Sequence, residues 1–154
     1  MNSAISKQWC KNIKTHKAAL ALVSLLENKR GELFKKGDHL VLESLKESIS
    51  LEMANLLDSA LYENKNLAGV LDDLIWYLKN VKVIHLTIAI FPSESFIEKV
   101  YSWFLNNVRG EFLLDIEVNT LLDGGVIMEY EGVYFNATLD KIFESYPWGR
   151  GDGF

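Results

Sequence analysis

The hydrophobic period of the chain changes near Asn80, and that change limits the folds open to it more than any other feature. Before Asn80, apolar residues recur every three or four positions, as on one face of a helix; after it they alternate, as on one face of a strand. The pattern predicts an α+β chain. An N-terminal helical bundle covers residues 1–80, a small C-terminal βαββα domain covers 81–146, and a glycine-rich tail covers 147–154.

Residues 4–29 predict one long helix or two short ones, with Leu22, Leu25 and Leu26 on one face and Gly31 as the stop. Asp38 is a suitable N-cap for a helix reaching about Tyr62, in which Leu42, Leu45, Ile49, Met53, Leu56 and Ala60 follow one another by three or four. A third helix after Asn66 carries Leu67, Val70, Leu71, Leu74, Ile75 and Leu78, a stripe broad enough to bury against the other two.

From Val81, Ile84, Leu86, Ile88 and Ile90 point one way and His85, Thr87 and Ala89 the other, as in a strand. Pro92 closes that strand because it has no N–H to donate. Ser93 or Ser95 caps the next helix, the latter in a capping box with Glu98. Phe96, Val100, Trp103 and Phe104 form its expected buried face, and Gly110 ends it. A second strand spans Phe112 to Val118, and Asp123-Gly124-Gly125 turns it into a hairpin of Val126–Tyr130 and Val133–Phe135. Asn136 is read as the N-cap of a last helix, Ala137 to Ser145, which presents Leu139, Ile142 and Phe143.

The 154 residues suit one domain or two small ones. Sixteen Lys and Arg against twenty-one Asp and Glu give a net charge of -5, so no broad positive surface is available for phosphates and nucleic acid is not an expected partner. The single cysteine, Cys10, excludes an internal disulfide and a zinc site built on paired cysteines, and fits a reducing, cytoplasmic compartment. Ala18 to Leu26 is far shorter than the roughly 20 residues that span a bilayer. It follows Lys7, Lys11, Lys14 and Lys17 as in a signal peptide, but no small-residue cleavage site comes next, and an internal amphipathic helix is expected.

Catalytic chemistry has no visible seat. There is no G-x-x-x-x-G-K-[ST] loop and no G-x-G-x-x-G after a strand, so ATP hydrolysis by this chain alone is not expected. His16, His39 and His85 lack ligand spacing, and Cys10 has neighbouring lysines but no base with an oriented partner. Asp72 and Asp73 point about 100° apart on one helix and read as a solvated face. No catalytic, cofactor or metal residue is therefore expected. The Asn136-Ala137-Thr138 and Arg150-Gly151-Asp152 tripeptides copy a glycosylation and an adhesion pattern, and neither is assigned a function. Trp76, Tyr77 and Trp103 suit core or interface equally, while Trp9 and Trp148 lie near the ends, where little core is expected.

In its second half the chain resembles a known family. The strand Val83 to Phe91, the helix after Pro92, the strand Leu113 to Val118, and the run Asn119-Thr120-Leu121-Leu122-Asp123-Gly124-Gly125-Val126-Ile127-Met128 leading into a hairpin are similar to the C-terminal region of the delta subunit of F-type ATP synthases. That family carries V-D-P-x-L-[IL]-G-G-[IV]-x-[IV] at this turn and D-x-S at the last helix. Here Asn119-Thr120 replaces the Asp-Pro pair and Asn136-Ala137-Thr138 the D-x-S. Lys17-Ala18-Ala19-Leu20 sits where the family has its Y-A-x-A-L start, so residues 1–80 resemble a shortened form of its N-terminal bundle.

The resemblance implies a non-catalytic peripheral-stalk (stator) subunit at the cytoplasmic face of an energy-coupling membrane. Its bundle would hold the alpha (and beta) subunits of the catalytic head, and its C-terminal domain the b-type stalk subunit, coupling proton-driven rotation to ATP synthesis. Expected head contacts are Leu22, Leu26, Leu71 and Trp76, and expected stalk contacts Leu139, Ile142 and Phe143, with Gly124 and Gly125 as the structural turn. Three alternatives stand beside it. One is the E-type stalk subunit of a V- or A-type ATPase, whose last helix also begins with N-T-[LF]; the others are a diverged delta-like adaptor in another rotary-ATPase-derived machine, and a small enzyme.

Overall fold

The computed structural model describes residues 3–64 and 66–141, a mixed α/β chain with its helices N-terminal and its strands C-terminal. The helices are α1 (Ser3–Ile13), α2 (His16–Lys36), α3 (Asp38–Ser48), α4 (Leu51–Asn64) and α5 (Leu67–Asn80). Then come β1 (Lys82–Ile88), α6 (Glu94–Asn107), β2 (Phe112–Val118), β3 (Gly125–Tyr130) and β4 (Val133–Thr138), and a helical turn begins at Leu139.

Of the two alternatives for the first helical stretch the structure takes two helices, and the helix expected from Asp38 to about Tyr62 is divided as well. The first breaks at Lys14 (φ +60) and Thr15, whose hydroxyl accepts from the Ala18 N–H at 3.3 Å and caps α2. Gly31 does not stop α2; the helix runs on to Gly37 (φ +79), whose N–H reaches the Leu33 carbonyl at 3.1 Å. The second breaks at Ile49, which is extended, and restarts where the Ser50 hydroxyl accepts from the Met53 N–H. Asp38 is the first residue of α3 rather than its cap. α5 starts after Asn66 as expected, and the Asn66 side chain caps it by accepting from the Gly69 N–H.

Buried Leu22, Leu26, Leu45, Leu57, Leu71 and Leu74 form the heart of the helical core. Trp9 and Cys10 of α1 lie in the same core, so the start of the chain is packed where little core was expected. At the α2–α5 seam, Arg30 makes two hydrogen bonds to Asp72 (2.9 and 3.1 Å) and Lys79 pairs with Glu27 at 2.6 Å. Asp72 thus has a cationic partner on α2.

The sheet runs in the order β2-β1-β3-β4. β1 and β2 are parallel, joined through α6, while β1–β3 and β3–β4 are antiparallel. Registers generate two contrasting faces. On one lie the rows Ile116–Leu86–Met128–Phe135 and Val118–Ile88–Val126–Ala137; on the other lie Asp115–His85–Glu129–Tyr134 and Glu117–Thr87–Ile127–Asn136. Tyr101 and Phe104 of α6 pack on the apolar face with Ile84, Leu86, Phe112 and Leu114. Leu113 points the other way into the helical core, so β2 belongs to both cores.

The free edge of β2 is covered by the α1–α2 break. The Leu114 N–H donates to the Lys14 carbonyl at 2.9 Å, and Thr15 bridges Leu114 in parallel. An unpaired edge is a template for association, and this contact removes part of one. β4 also departs from expectation. Asn136-Ala137-Thr138 belongs to the strand, and the Asn136 side chain accepts from both the N–H and the hydroxyl of Thr138 instead of capping a helix.

Candidate partner-binding surfaces

The residues expected at the head-binding surface separate by burial. Leu22 is 8% exposed, Leu26 1% and Leu71 0%, so all three hold the bundle together and a partner contact through them is corrected to a core role. Trp76 differs, with 69% of its surface exposed beside a recess of about 290 Å³ that it forms with Asn80 and Lys82. The same helix therefore buries Leu71 and Leu74 and displays Trp76, because an α-helix turns them to opposite sides.

On the C-terminal side, Leu139 is partly exposed and rests on the Gly124 turn, while Ile142 and Phe143 lie outside the described residues, as do Trp148 and the tail. Gly124 (φ +132) and Gly125 (φ +88) have the backbone angles expected of the turn. A Cβ on Gly125 would sit 2.2 Å from the Ala137 carbonyl oxygen, so this glycine also permits the close approach of β4.

The α6 helix is rotated from its expected orientation. Tyr101 and Phe104 are its buried aromatics, while Trp103 is 57% exposed and Phe96 is partly exposed. The Ser93 hydroxyl, not Ser95, caps it by accepting from the Phe96 N–H, and Glu98 pairs with Lys14 at 2.7 Å, which holds its carboxyl below the usual range. The rotation leaves a wholly apolar cleft of about 230 Å³ between α6 and the sheet, lined by Phe96, Val100, Trp103, Val126, Met128 and Phe135. A single helix is about 10 Å across, whereas the centres of four strands span about 14 Å, so α6 cannot cover the β3–β4 half of the apolar face. Sequence pattern marked the apolar residues of both strands. Register was needed to put them in continuous rows beside an under-covered helix.

Where α1, α5, α6 and β2 meet, a polar chain crosses the interface. The Tyr77 hydroxyl donates to Glu111 at 2.8 Å and accepts from the Cys10 thiol at 3.0 Å. Burial pushes the Cys10 thiol up to about 11, partly offset by the bond to Tyr77, so it is a poor nucleophile at neutral pH. Tyr77 is pushed upward as well, first by burial and then by Cys10 and Glu111.

No protein-family model matches the chain, and neither does any curated protein. The described residues bring no three His, Cys, Asp or Glu together to hold a metal. His39 pairs with Glu43 on one helix, and His85 faces Asp115 at 3.0 Å on the open polar side of the sheet. No helix among the described residues is long and apolar enough to cross a membrane. The apolar cleft beside α6 is suited to burying a partner's apolar side chains, and the recess beside Trp76 offers an aromatic wall next to polar groups.

Proposed function

We propose that this chain is a delta-type stator subunit of a rotary F-type ATP synthase, joining its catalytic head to its peripheral stalk. The observation that carries the reading is the order of elements around the double glycine. A parallel β1–α6–β2 unit runs into a Gly124-Gly125 turn of positive φ, then a tight hairpin, then a helical turn at Leu139, all preceded by helices. That order coincides with the region in which the sequence resembles the delta family. The finer reading, a head-binding N-terminal bundle and a stalk-binding C-terminal βαββα domain, belongs to the same proposal.

The E-type alternative calls for a very long charged N-terminal helix, whereas the longest among the described residues, α2, has 21 residues. Within the stator reading, the apolar cleft beside α6 receives one face of a stalk helix, with Trp103 and Phe135 as its walls. Trp76 is offered to the head, in place of the buried leucines. A tagged chain should recover alpha, beta and b-type subunits from detergent-solubilised membranes. Recovery of none, from a folded monomer, would reject the assignment. Trp103→Ala should lose the b-type subunit and keep the alpha subunit; equal loss of both would reject the division of surfaces.

A further inference from the structure

A third cavity, of about 590 Å³, opens between α1, α6 and the α6–β2 connection, within the range of small-molecule sites. Lys7 and Lys11, one turn apart on α1, and Arg109 from the connection line it. Like Lys17, Lys35 and Lys99, these cations have no carboxylate partner among the described residues, whereas Lys14, Arg30, Lys46 and Lys79 each have one. Glu111 is the one carboxylate of the lining, and its oxygen already accepts from Tyr77. Three cations against one carboxylate leave the lining two charges positive, on a chain whose net charge is -5.

The interior of the cavity adds an independent sign. Tyr101 is only 3% exposed as a residue, and its hydroxyl, which keeps some contact with solvent, makes no hydrogen bond among the described residues. It lines this cavity with Cys10. A hydroxyl that no protein group engages can donate to a ligand oxygen. Leu105 and Val108 supply apolar wall beside it.

We propose that this cavity binds a phosphomonoester with an apolar body. The phosphate, carrying about -1.5 to -2 at neutral pH, matches the excess charge of Lys7, Lys11 and Arg109. The Arg109 guanidinium can engage two phosphate oxygens at once, and the body lies against Leu105, Val108 and the Tyr101 ring, whose hydroxyl gains a partner. The site stands whether or not the chain serves a rotary machine, because none of these residues is assigned to a partner surface above.

Phenyl phosphate, titrated calorimetrically into the full chain, tests it. Saturable one-to-one binding is expected, weakened about tenfold by Arg109→Gln and by the Lys7→Gln/Lys11→Gln pair, with unchanged thermal midpoints because all three side chains are exposed. Tyr101→Phe should weaken it several-fold, and Lys99→Gln, an exposed cation of α6 outside the cavity, should leave it unaltered. Inorganic phosphate should bind about tenfold more weakly than phenyl phosphate. Absence of saturation, or equal loss in Lys99→Gln and Arg109→Gln, would overturn the site; equal affinity for inorganic phosphate would overturn the apolar subsite.

Discussion

Replacing Gly125 by alanine adds one methyl group and is expected to be among the most damaging small changes possible in the sheet. Two costs combine. At φ +88 an L-residue is strained by about 1–2 kcal/mol, and the new Cβ would lie 2.2 Å from the Ala137 oxygen and 2.7 Å from the Thr138 Cα. Both neighbours are backbone, so β4 must move away and the Gly125–Thr138 end of the β3–β4 ladder is lost. One or two backbone hydrogen bonds at about 1 kcal/mol each bring the total to about 2–4 kcal/mol. Gly132→Ala is the control. Its φ is +79 but nothing lies within 4 Å of the added Cβ, so only the strain of about 1–2 kcal/mol applies. In urea unfolding at a slope of about 2 kcal/mol per M, Gly125→Ala should lower the midpoint by about 1–2 M and Gly132→Ala, which lacks the lost bonds, by about 0.5–1 M. If the two variants fell within about 0.5 kcal/mol of each other, the close approach of β4 would be refuted and Gly125 would be an ordinary turn glycine.

Other perturbations separate core from surface. Leu71→Ala should cost about 2–5 kcal/mol in denaturant unfolding by emptying a fully buried site, whereas Trp76→Ala should change stability by less than about 1 kcal/mol and reduce capture of alpha subunits. Tyr77→Phe should cost about 1–3 kcal/mol, because Glu111 and Cys10 both lose their shared hydroxyl; no measurable change would mean water replaces it. Alkylation of Cys10 should be slow at neutral pH and rise toward a midpoint of about 11. The thiol ionises in the unfolded chain near its ordinary value of 9.0 and in the folded chain only near 11, so stability should fall as pH rises through that window. A stability profile flat from pH 8 to 11 would contradict the burial of Cys10.

The element types were written locally. Alternation in Phe112–Val118, the helical stripe of α5 after Asn66 and the hairpin of Val126–Tyr130 and Val133–Phe135 depend on neighbours in sequence and are found where expected, whereas the first strand, expected to run on to Ile90, ends at Ile88. Boundaries were harder where two local rules competed. Gly31 carries a conformational cost inside a helix, but α2 continues through it because Leu33 is buried beyond it. Asn136 satisfies a cap rule and a strand rule equally, and pairing with Ile127 chose the strand. Among the proposed contact residues, helical period grouped Leu22, Leu26 and Leu71 as apolar without saying which face lay inward.

Taken alone, the sequence determined the switch from helices to strands, the absence of a recognisable nucleotide or metal motif, and the glycines that allow the β2–β3 reversal. Only tertiary structure decided that Lys14 and Thr15 would break a helix to cover the edge of β2, that Trp9 would be core, and that α6 would turn Tyr101 inward and Trp103 outward. It alone gathered Lys7, Lys11, Arg109 and Tyr101 around one cavity. The physical reason is range: dihedral preferences and periodicity act over a few residues, whereas the choice of buried face and the meeting of charges depend on surfaces contributed by residues about a hundred positions apart.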